Sequence, residues 1–286
     1  METGRNFWVF GGDRRQTALA ELLRADGQEV HVRGMGDGPE DYEGLSRADC
    51  VVLPMPVSVR PGLLFAPLSP VERPLAPILG GISRRSFLCG GRADPSVRAL
   101  TDREGLVLWD YFAREELAVA NAVPTAEGAL CLALEHLDMT IHGASVLILG
   151  FGRVGQATAL RFRALGAEVT VAARRYEALA LAEGLGCRAE KLPCVSRPDR
   201  FDLVINTVPA PLADAAFLAR LSPDCLLLDL ASLPGGVDFD AARARGLRAI
   251  HALSLPGKSA PITAGAAIRD AIYHMLEERE VSFLGK

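Results

Sequence analysis

The residues with the clearest chemical meaning form a glycine loop, Gly150-Phe151-Gly152-Arg153-Val154-Gly155. The loop follows an apolar stretch typical of a strand, residues 146–149, and precedes a helical pattern, which is the context that a dinucleotide-binding loop requires. Gly150 permits the tight turn, Gly152 lets the backbone approach a pyrophosphate, and Gly155 allows close helix–strand packing. The helix N-terminus would then offer free N–H groups to the phosphates. The pattern favours dinucleotide binding, with Arg153 and Val154 in the loop, over a plain strand-to-helix turn.

The end of the next predicted strand indicates which dinucleotide binds. NAD sites usually place an Asp or Glu there, about 20 residues after the glycines, to hold the ribose 2′-hydroxyl. This chain has Arg174 and Arg175 instead. A carboxylate would repel a 2′-phosphate, whereas a guanidinium holds it with paired, charge-assisted hydrogen bonds. We therefore expect NADP(H) rather than NAD(H); the alternative is a solvated basic turn.

Two later segments follow apolar stretches that are typical of buried parallel strands. The carboxyl ends of parallel strands border the ligand crevice of such a sheet, so residues there are candidates for cofactor contact. These candidates are Thr207, Val208 and Pro209 after one strand, and Ala231 and Ser232 after the next. Each segment alone is as readily a plain turn, but consecutive strand ends together favour contact.

The positioning elements are predicted from the alternation of apolar strands and helices, which argues for an α/β fold of two Rossmann-like domains with parallel sheets. Residues 1–120 form a substrate or catalytic domain, completed by a C-terminal helix at 262–286. Residues 121–261 form the NADP-binding domain. It includes an inter-domain helix, 124–138, with Pro124 in its first turn, beside a cleft. Apolar stretches at 50–56, 77–81 and 106–109 add strands to the first domain.

Composition excludes several classes of protein. The 286 residues are 49% hydrophobic and 23% charged, with a net charge of −4, so nothing favours binding to nucleic acid or to an anionic membrane. We expect no membrane span, because no apolar run approaches about 20 residues, and no signal peptide. The six cysteines are scattered without zinc-ligand spacing, so we expect reduced thiols, no metal site and a cytoplasmic protein.

Several further blocks of the chain resemble a known family, dipicolinate synthase A of spore-forming bacteria. The resemblance rests on the run VPTAEGALCLALEHLDMTIHGASVLILGFGRVGQATA, the opening GGDRRQ, the strand-end Arg174, and the blocks INTVP, LDLAS with PGGVDF, and PGKSAPITAG. These blocks extend in order from residue 11 to residue 265. One departure is Leu233, at a position where we expect a polar or basic residue, so any substrate contact made there is in doubt.

The resemblance implies an activity: NADP-dependent oxidation of dihydrodipicolinate to dipicolinate, pyridine-2,6-dicarboxylate, during sporulation. It also implies a partner, the flavoprotein-like dipicolinate synthase B, and a location in the mother-cell cytoplasm. Two alternatives remain: an NADP-dependent dehydrogenase of another small carboxylic acid, and a cofactor-binding partner of dipicolinate synthase B without catalysis of its own. A homo-oligomer is also left open.

A dicarboxylate substrate calls for cationic and hydrogen-bonding groups and for one proton acceptor. Arg14, beside the first glycine turn, is favoured to hold a carboxylate of the substrate; the alternative, an ordinary surface arginine without such a role, has about equal weight. Gln16 and Ser58 could add neutral hydrogen bonds. The other candidates for the catalytic site are Asp13, Thr125, Glu127 and Lys258. A carboxylate such as Glu127 in the first turn of a helix is also stabilising without any catalytic role. No single residue is singled out as the base.

Overall fold

The computed structural model describes residues 4–36 and 41–284. It divides into two compact units, Met1–Ala120 with Ala260–Lys286, and Asn121–Ser259. Each unit contains one wholly parallel sheet whose strands are joined mainly by helical segments. The predicted α/β class with two parallel sheets is therefore confirmed, while a cleft between the units stays a prediction.

The first unit has five strands in the order β2-β1-β3-β4-β5. Its elements are β1 (Asn6–Phe10), α1 (Arg14–Ala25), β2 (Glu29–Arg33), β3 (Cys50–Val52), α2 (Leu75–Gly80), β4 (Phe87–Gly90), α3 (Pro95–Arg103), β5 (Leu108–Asp110) and α10 (Pro261–Leu284). Alternate residues of β1 enter different core clusters, Phe7 and Val9 on one face, Trp8 and Phe10 on the other. Both faces of this sheet are therefore covered, as is usual for parallel strands.

Two segments of this unit differ from the sequence prediction. Residues 77–80 belong to α2 and Gly81 caps its C-terminus, so this stretch is not a strand; Leu75, Ile78 and Leu79 are buried at helical spacing. The strand of this region is β4, whose four residues FLCG are all buried. It went unpredicted because so short an apolar run carries little periodic signal.

Helix α4 (Glu115–His136) also differs: it begins well before Pro124, which lies inside the helix and not in its first turn. A proline there removes one backbone hydrogen bond and costs about 3 kcal/mol. Two acidic residues in the first turn and the many alanines along the segment favour the longer helix. Next to the proline, the Thr125 hydroxyl donates to the Asn121 carbonyl at 2.7 Å.

By length and composition α4 could cross a membrane, with a mean hydropathy of 1.5 over its most apolar window. The premise that no apolar run approaches the length of a span therefore does not hold for α4, and the absence of a membrane span stays a prediction. The same features are found in core helices of water-soluble proteins, and 39% of that window is buried within the protein. Ala129 and Ala133 are fully buried in the core of the second unit.

The second unit has six strands in the order β11-β10-β9-β6-β7-β8. Its elements after α4 are β6 (Ser145–Leu149), α5 (Arg153–Ala164), β7 (Glu168–Ala173), α6 (Tyr176–Gly184), β8 (Arg188–Lys191), β9 (Leu203–Asn206), α7 (Ala215–Leu218), β10 (Leu226–Asp229), α8 (Phe239–Ala244), β11 (Arg248–His251) and α9 (Leu255–Ser259). Counted within this unit, the order is the 3-2-1-4-5-6 arrangement of dinucleotide-binding domains. The strand order reverses between β6 and β9, so a ligand is expected at their carboxyl ends.

Candidate functional site

The glycine loop has the geometry that its sequence predicts. Gly150 has φ +94°, and a Cβ on it would lie 2.4 Å from Val208 Cγ2. A Cβ on Gly155 would lie 2.4 Å from the Gly150 carbonyl oxygen, whereas one on Gly152 would meet nothing within 4 Å. Gly150 and Gly155 are thus required by packing, and Gly152 leaves open space at the start of α5. Arg153 is exposed and Val154 half-buried in the first turn of that helix.

A pocket of about 150 Å³ adjoins this loop. It is lined by Gly150, Phe151, Gly152, Ala173, Arg174, Arg175, Ala178, Leu192, Val208 and Leu212. The structure therefore brings the glycine loop, the two predicted arginines and Val208 to one concave surface. Arg175 pairs with Glu177 at 3.1 Å. The exposed Arg174 guanidinium has no hydrogen-bond or ion-pair partner in the described part of the chain.

One basic residue near this pocket was missed. Lys191, the last residue of β8, donates to the Arg174 carbonyl, and its Nζ lies 3.5 Å from the centre of the Tyr176 ring. Strand β8 is a short, polar edge strand, and its sequence RAEK has no apolar run that would mark it as a strand. The only sequence feature that could have pointed to a larger basic cluster was the adjacent pair Arg174 and Arg175.

The ends of β9 and β10 are held by a buried pair of side chains, Asn206 and Asp229, whose hydrogen bond to each other the sequence does not predict. The Asp229 carboxylate is fully buried and accepts the N–H groups of Ala231, Gly236 and Val237 and the amide of Asn206. The Asn206 amide also donates to the Val208 carbonyl at 2.9 Å. These bonds shape both loops that follow the strands. Asp229 and Asn206 are thus structural supports for the predicted ligand-contact residues.

The predicted contact residues themselves differ in exposure. The Thr207 hydroxyl donates to the Leu149 carbonyl at 2.9 Å, so it ties β9 to the strand before the glycine loop. Ala231 is buried, whereas Pro209 and Ser232 are exposed. Of this group only Val208 lines the pocket, and the cofactor role of all five residues stays a prediction.

In the first unit, Asp13 begins α1 and is bound to Arg15. Its carboxylate accepts from Nε and Nη2 of Arg15 at 2.9 and 2.8 Å. Burial alone would raise the pKa of Asp13, but the hydrogen bonds and charge of Arg15 outweigh it and lower that pKa. A carboxylate with a lowered pKa is a weak base. The geometry therefore favours a role for Asp13 in orienting Arg15.

The arginine turned inward here is Arg15, and the favoured Arg14 is exposed. Successive helix residues lie about 100° apart, so only one of the two can face the sheet. Arg15 is 7% exposed and also donates to the Met55 carbonyl at 2.8 Å. Gln16, also buried, donates to the Leu53 carbonyl at 3.3 Å, and its Oε1 has no partner in the described structure.

The remaining predicted residues are engaged locally or are exposed. The Ser58 hydroxyl donates to the Arg60 carbonyl at 2.5 Å. Glu127 pairs with Arg161 of α5 at 3.1 Å, and Lys258 is exposed on α9. The Thr125 hydroxyl is used within α4. Catalytic roles for these four stay predictions.

These observations fit a nicotinamide dinucleotide. Open space at Gly152 suits a pyrophosphate at the N-terminus of α5, and the guanidinium groups at the pocket rim suit a phosphate. No group of three or more His, Cys, Asp or Glu side chains placed to hold a metal ion occurs in residues 4–36 and 41–284.

Comparison with known proteins finds a matching domain family in each of the two units. Residues 6–112 match the N-terminal domain of dipicolinate synthase A, and residues 126–231 match the NAD-binding domain of D-isomer specific 2-hydroxyacid dehydrogenases. Dipicolinate synthase A of Bacillus subtilis (strain 168) is 31% identical over 97% of this chain and 98% of its own length.

Solved structures give the same result. Dipicolinate synthase A from Bacillus halodurans matches with a TM-score of 0.87 and 30% identity, covering 96% of this chain and 99% of that one. Dipicolinate synthase A from Bacillus subtilis matches with a TM-score of 0.86 and 30% identity, covering 99% of this chain and 99% of that one. The apo-structure of D-lactate dehydrogenase from Escherichia coli shares the fold, with a TM-score of 0.58 and 12% identity over 96% and 97% of the two chains. The protein is an oxidoreductase that uses a nicotinamide cofactor, and the chain belongs to the dipicolinate synthase A family.

Proposed function

We propose that this protein oxidises dihydrodipicolinate to dipicolinate with NADP as the cofactor. It would do so in the mother-cell cytoplasm of a sporulating bacterium, together with the flavoprotein-like dipicolinate synthase B. The observation that carries the cofactor choice is the pair Arg174 and Arg175 at the pocket rim, where an NAD site would have a carboxylate. Family membership supports the substrate.

The reaction removes one hydride and one proton from the dihydropyridine ring, and aromatisation favours their loss. When bound, NADP would supply the hydride acceptor, C4 of its nicotinamide ring. The protein's own tasks are to hold the cofactor, orient two carboxylates and accept or release one proton. The N–H groups in the first turn of α5 would hold the pyrophosphate, and the Asp229–Asn206 pair keeps the loops after β9 and β10 in place.

For the substrate carboxylates we propose Arg15 ahead of Arg14. Arg15 is oriented by Asp13 and by the Met55 carbonyl, which leaves the protons of its Nη1 without a partner among the described residues. A guanidinium held in this way loses little conformational entropy when it binds a carboxylate. It also lies at the carboxyl ends of β1 and β3, where the strand order of the first sheet reverses.

The direct test follows NADPH formation from dihydrodipicolinate by the purified protein, with and without dipicolinate synthase B. Turnover with NADP supports the proposal, and its absence in both mixtures refutes it.

A second candidate is a cofactor-binding partner of dipicolinate synthase B without catalysis of its own. It is favoured by one observation: Asp13 and Glu127, two carboxylates considered as bases, are both bound to arginines. The variant Gly152→Val separates the two functions. A binding partner should still assemble with dipicolinate synthase B and leave the activity of that protein intact, whereas a dehydrogenase should lose turnover.

A further inference from the structure

We infer that Lys191 is a third cation of the site for the ribose 2′-phosphate, and that Tyr176 positions it. The inference rests on the proposed use of NADP(H) and assigns part of its specificity to residues beyond the arginines. It starts from the sheet register, because β8 pairs with β7 so that Lys191 lies opposite Ala173. The lysine therefore reaches the same end of the sheet as Arg174, although the two are 17 positions apart in the sequence.

The Lys191 ammonium is held in place by two contacts. It donates to the Arg174 carbonyl and lies over the face of the Tyr176 ring, 3.5 Å from its centre. A cation on an aromatic face is attracted by the ring quadrupole. An ammonium carries three protons, and no described carboxylate pairs with this one. Protons thus remain for a ligand at the end of the sheet where β7 is followed by Arg174.

The acidic residues nearest in sequence do not neutralise this cluster. Glu177 pairs with Arg175, and Glu190 binds Ser196 and Arg200. Neither the Lys191 ammonium, which binds the Arg174 backbone carbonyl, nor the Arg174 guanidinium is paired with a carboxylate of the described residues, in a chain whose net charge is −4. A dianion bound at this end of the sheet would be attracted by both positive charges. A 2′-phosphate carries about −1.5 to −2 charges near neutral pH, whereas the 2′-hydroxyl of NAD(H) carries none.

Tyr176 supports the lysine and makes no contact with the phosphate in this proposal. Tyr176 is 75% exposed, so its ring is not part of the hydrophobic core. Covering one ring face with the lysine limits the directions that the flexible side chain can take. Removal of the ring should therefore weaken NADPH binding in the same direction as removal of the lysine, and by less.

The test measures Kd for NADPH and for NADH in the unmodified protein, Lys191→Gln, Lys191→Arg, Tyr176→Leu and Arg174→Gln. Lys191→Gln is expected to raise the Kd for NADPH about three- to tenfold and that for NADH less than about twofold, as for loss of one exposed charge contact to a phosphate. Lys191→Arg should restore most of the affinity. The effect should shrink at high salt, because exposed charge pairs are screened.

The matched control is Arg188→Gln, at the opposite end of the same strand, where Arg188 pairs with Glu168. It removes one positive charge and should leave both Kd values unchanged. If Lys191→Gln shifts both cofactors equally, or neither, the inference is wrong. If the unmodified protein prefers NADPH and Arg174→Gln abolishes the preference while Lys191→Gln does not, only the role of Lys191 fails. If the unmodified protein binds both cofactors equally, the proposed NADP preference fails and the inference falls with it.

Discussion

The buried carboxylate of Asp229 offers the sharpest test of how the second unit holds the loops that follow β9 and β10. It is fully buried and accepts four N–H groups. In Asp229→Asn, the new side chain can keep its oxygen toward Ala231 and Asn206. Its NH2 group would then face the N–H groups of Gly236 and Val237, which now lie 2.8 and 3.2 Å from a carboxylate oxygen.

The expected loss of stability follows from the two hydrogen bonds to Gly236 and Val237 that the substitution removes. Each buried donor left without an acceptor costs about 1–3 kcal/mol, so the substitution should lower the free energy of unfolding by about 2–6 kcal/mol. The loops after β9 and β10 should loosen as well, and the Kd for NADPH should rise. The matched control is Asp214→Asn, an exposed cap of α7 that accepts the Phe217 N–H. Asparagine caps helices about as well as aspartate, so we expect a loss below about 0.5 kcal/mol there.

The assay is urea unfolding followed by circular dichroism, with tryptophan fluorescence recorded in parallel. Both tryptophans, Trp8 and Trp109, lie in the first unit, so their signal reports on that unit. Asp229→Asn should shift the dichroism midpoint much more than Asp214→Asn does. Equal and small losses in the two variants would refute the claim that this carboxylate holds the loops.

Three further predictions concern the predicted site residues. Gly152→Val should keep the fold within about 1 kcal/mol, because its Cβ enters open space at extended backbone angles, yet abolish NADPH binding; unchanged affinity in a titration would contradict the loop assignment. Glu127→Gln should cost less than about 1 kcal/mol, since its pair with Arg161 is exposed, and should leave turnover unchanged; a large fall in kcat in a steady-state assay would instead identify Glu127 as the base. The pKa of Asp13 is lower in the folded state than in the unfolded chain. Its ionised carboxylate therefore stabilises the fold at pH values above the unfolded pKa of about 3.9, and this stabilisation is lost as the pH falls through the folded-state pKa. In urea midpoints measured against pH, Asp13→Asn should remove that part of the acid dependence, and an unaltered pH profile would argue against the Arg15 pairing.

The sequence predicts well what depends on local backbone chemistry. A strand followed by GxGxxG forces the turn at Gly150 and the close packing at Gly155, so the loop geometry could be predicted directly. The buried strands β9 and β10 were equally clear, because every residue in them is buried and mostly apolar.

The features that the sequence did not predict depend on the rotation of a helix about its axis, on the register of a strand or on the burial of a side chain. Arg14 and Arg15 are adjacent and chemically identical, and only the rotation of α1 about its axis turns one inward. Lys191 reaches Arg174 through the register of a polar edge strand. The bonds of Asp229 run mainly to backbone N–H groups in a loop, which no side-chain pattern reveals. The early start of α4 reflects helix-forming residues that outweigh one proline.

The most direct test of the proposed function follows a deuterium label. Dihydrodipicolinate deuterated at the ring carbon that gives up the hydride is mixed with NADP and the purified protein, and the products are analysed by mass spectrometry. We predict equal amounts of dipicolinate and NADPH, with the deuterium carried by the NADPH. Dipicolinate formed without labelled NADPH would contradict hydride transfer to the cofactor of this chain.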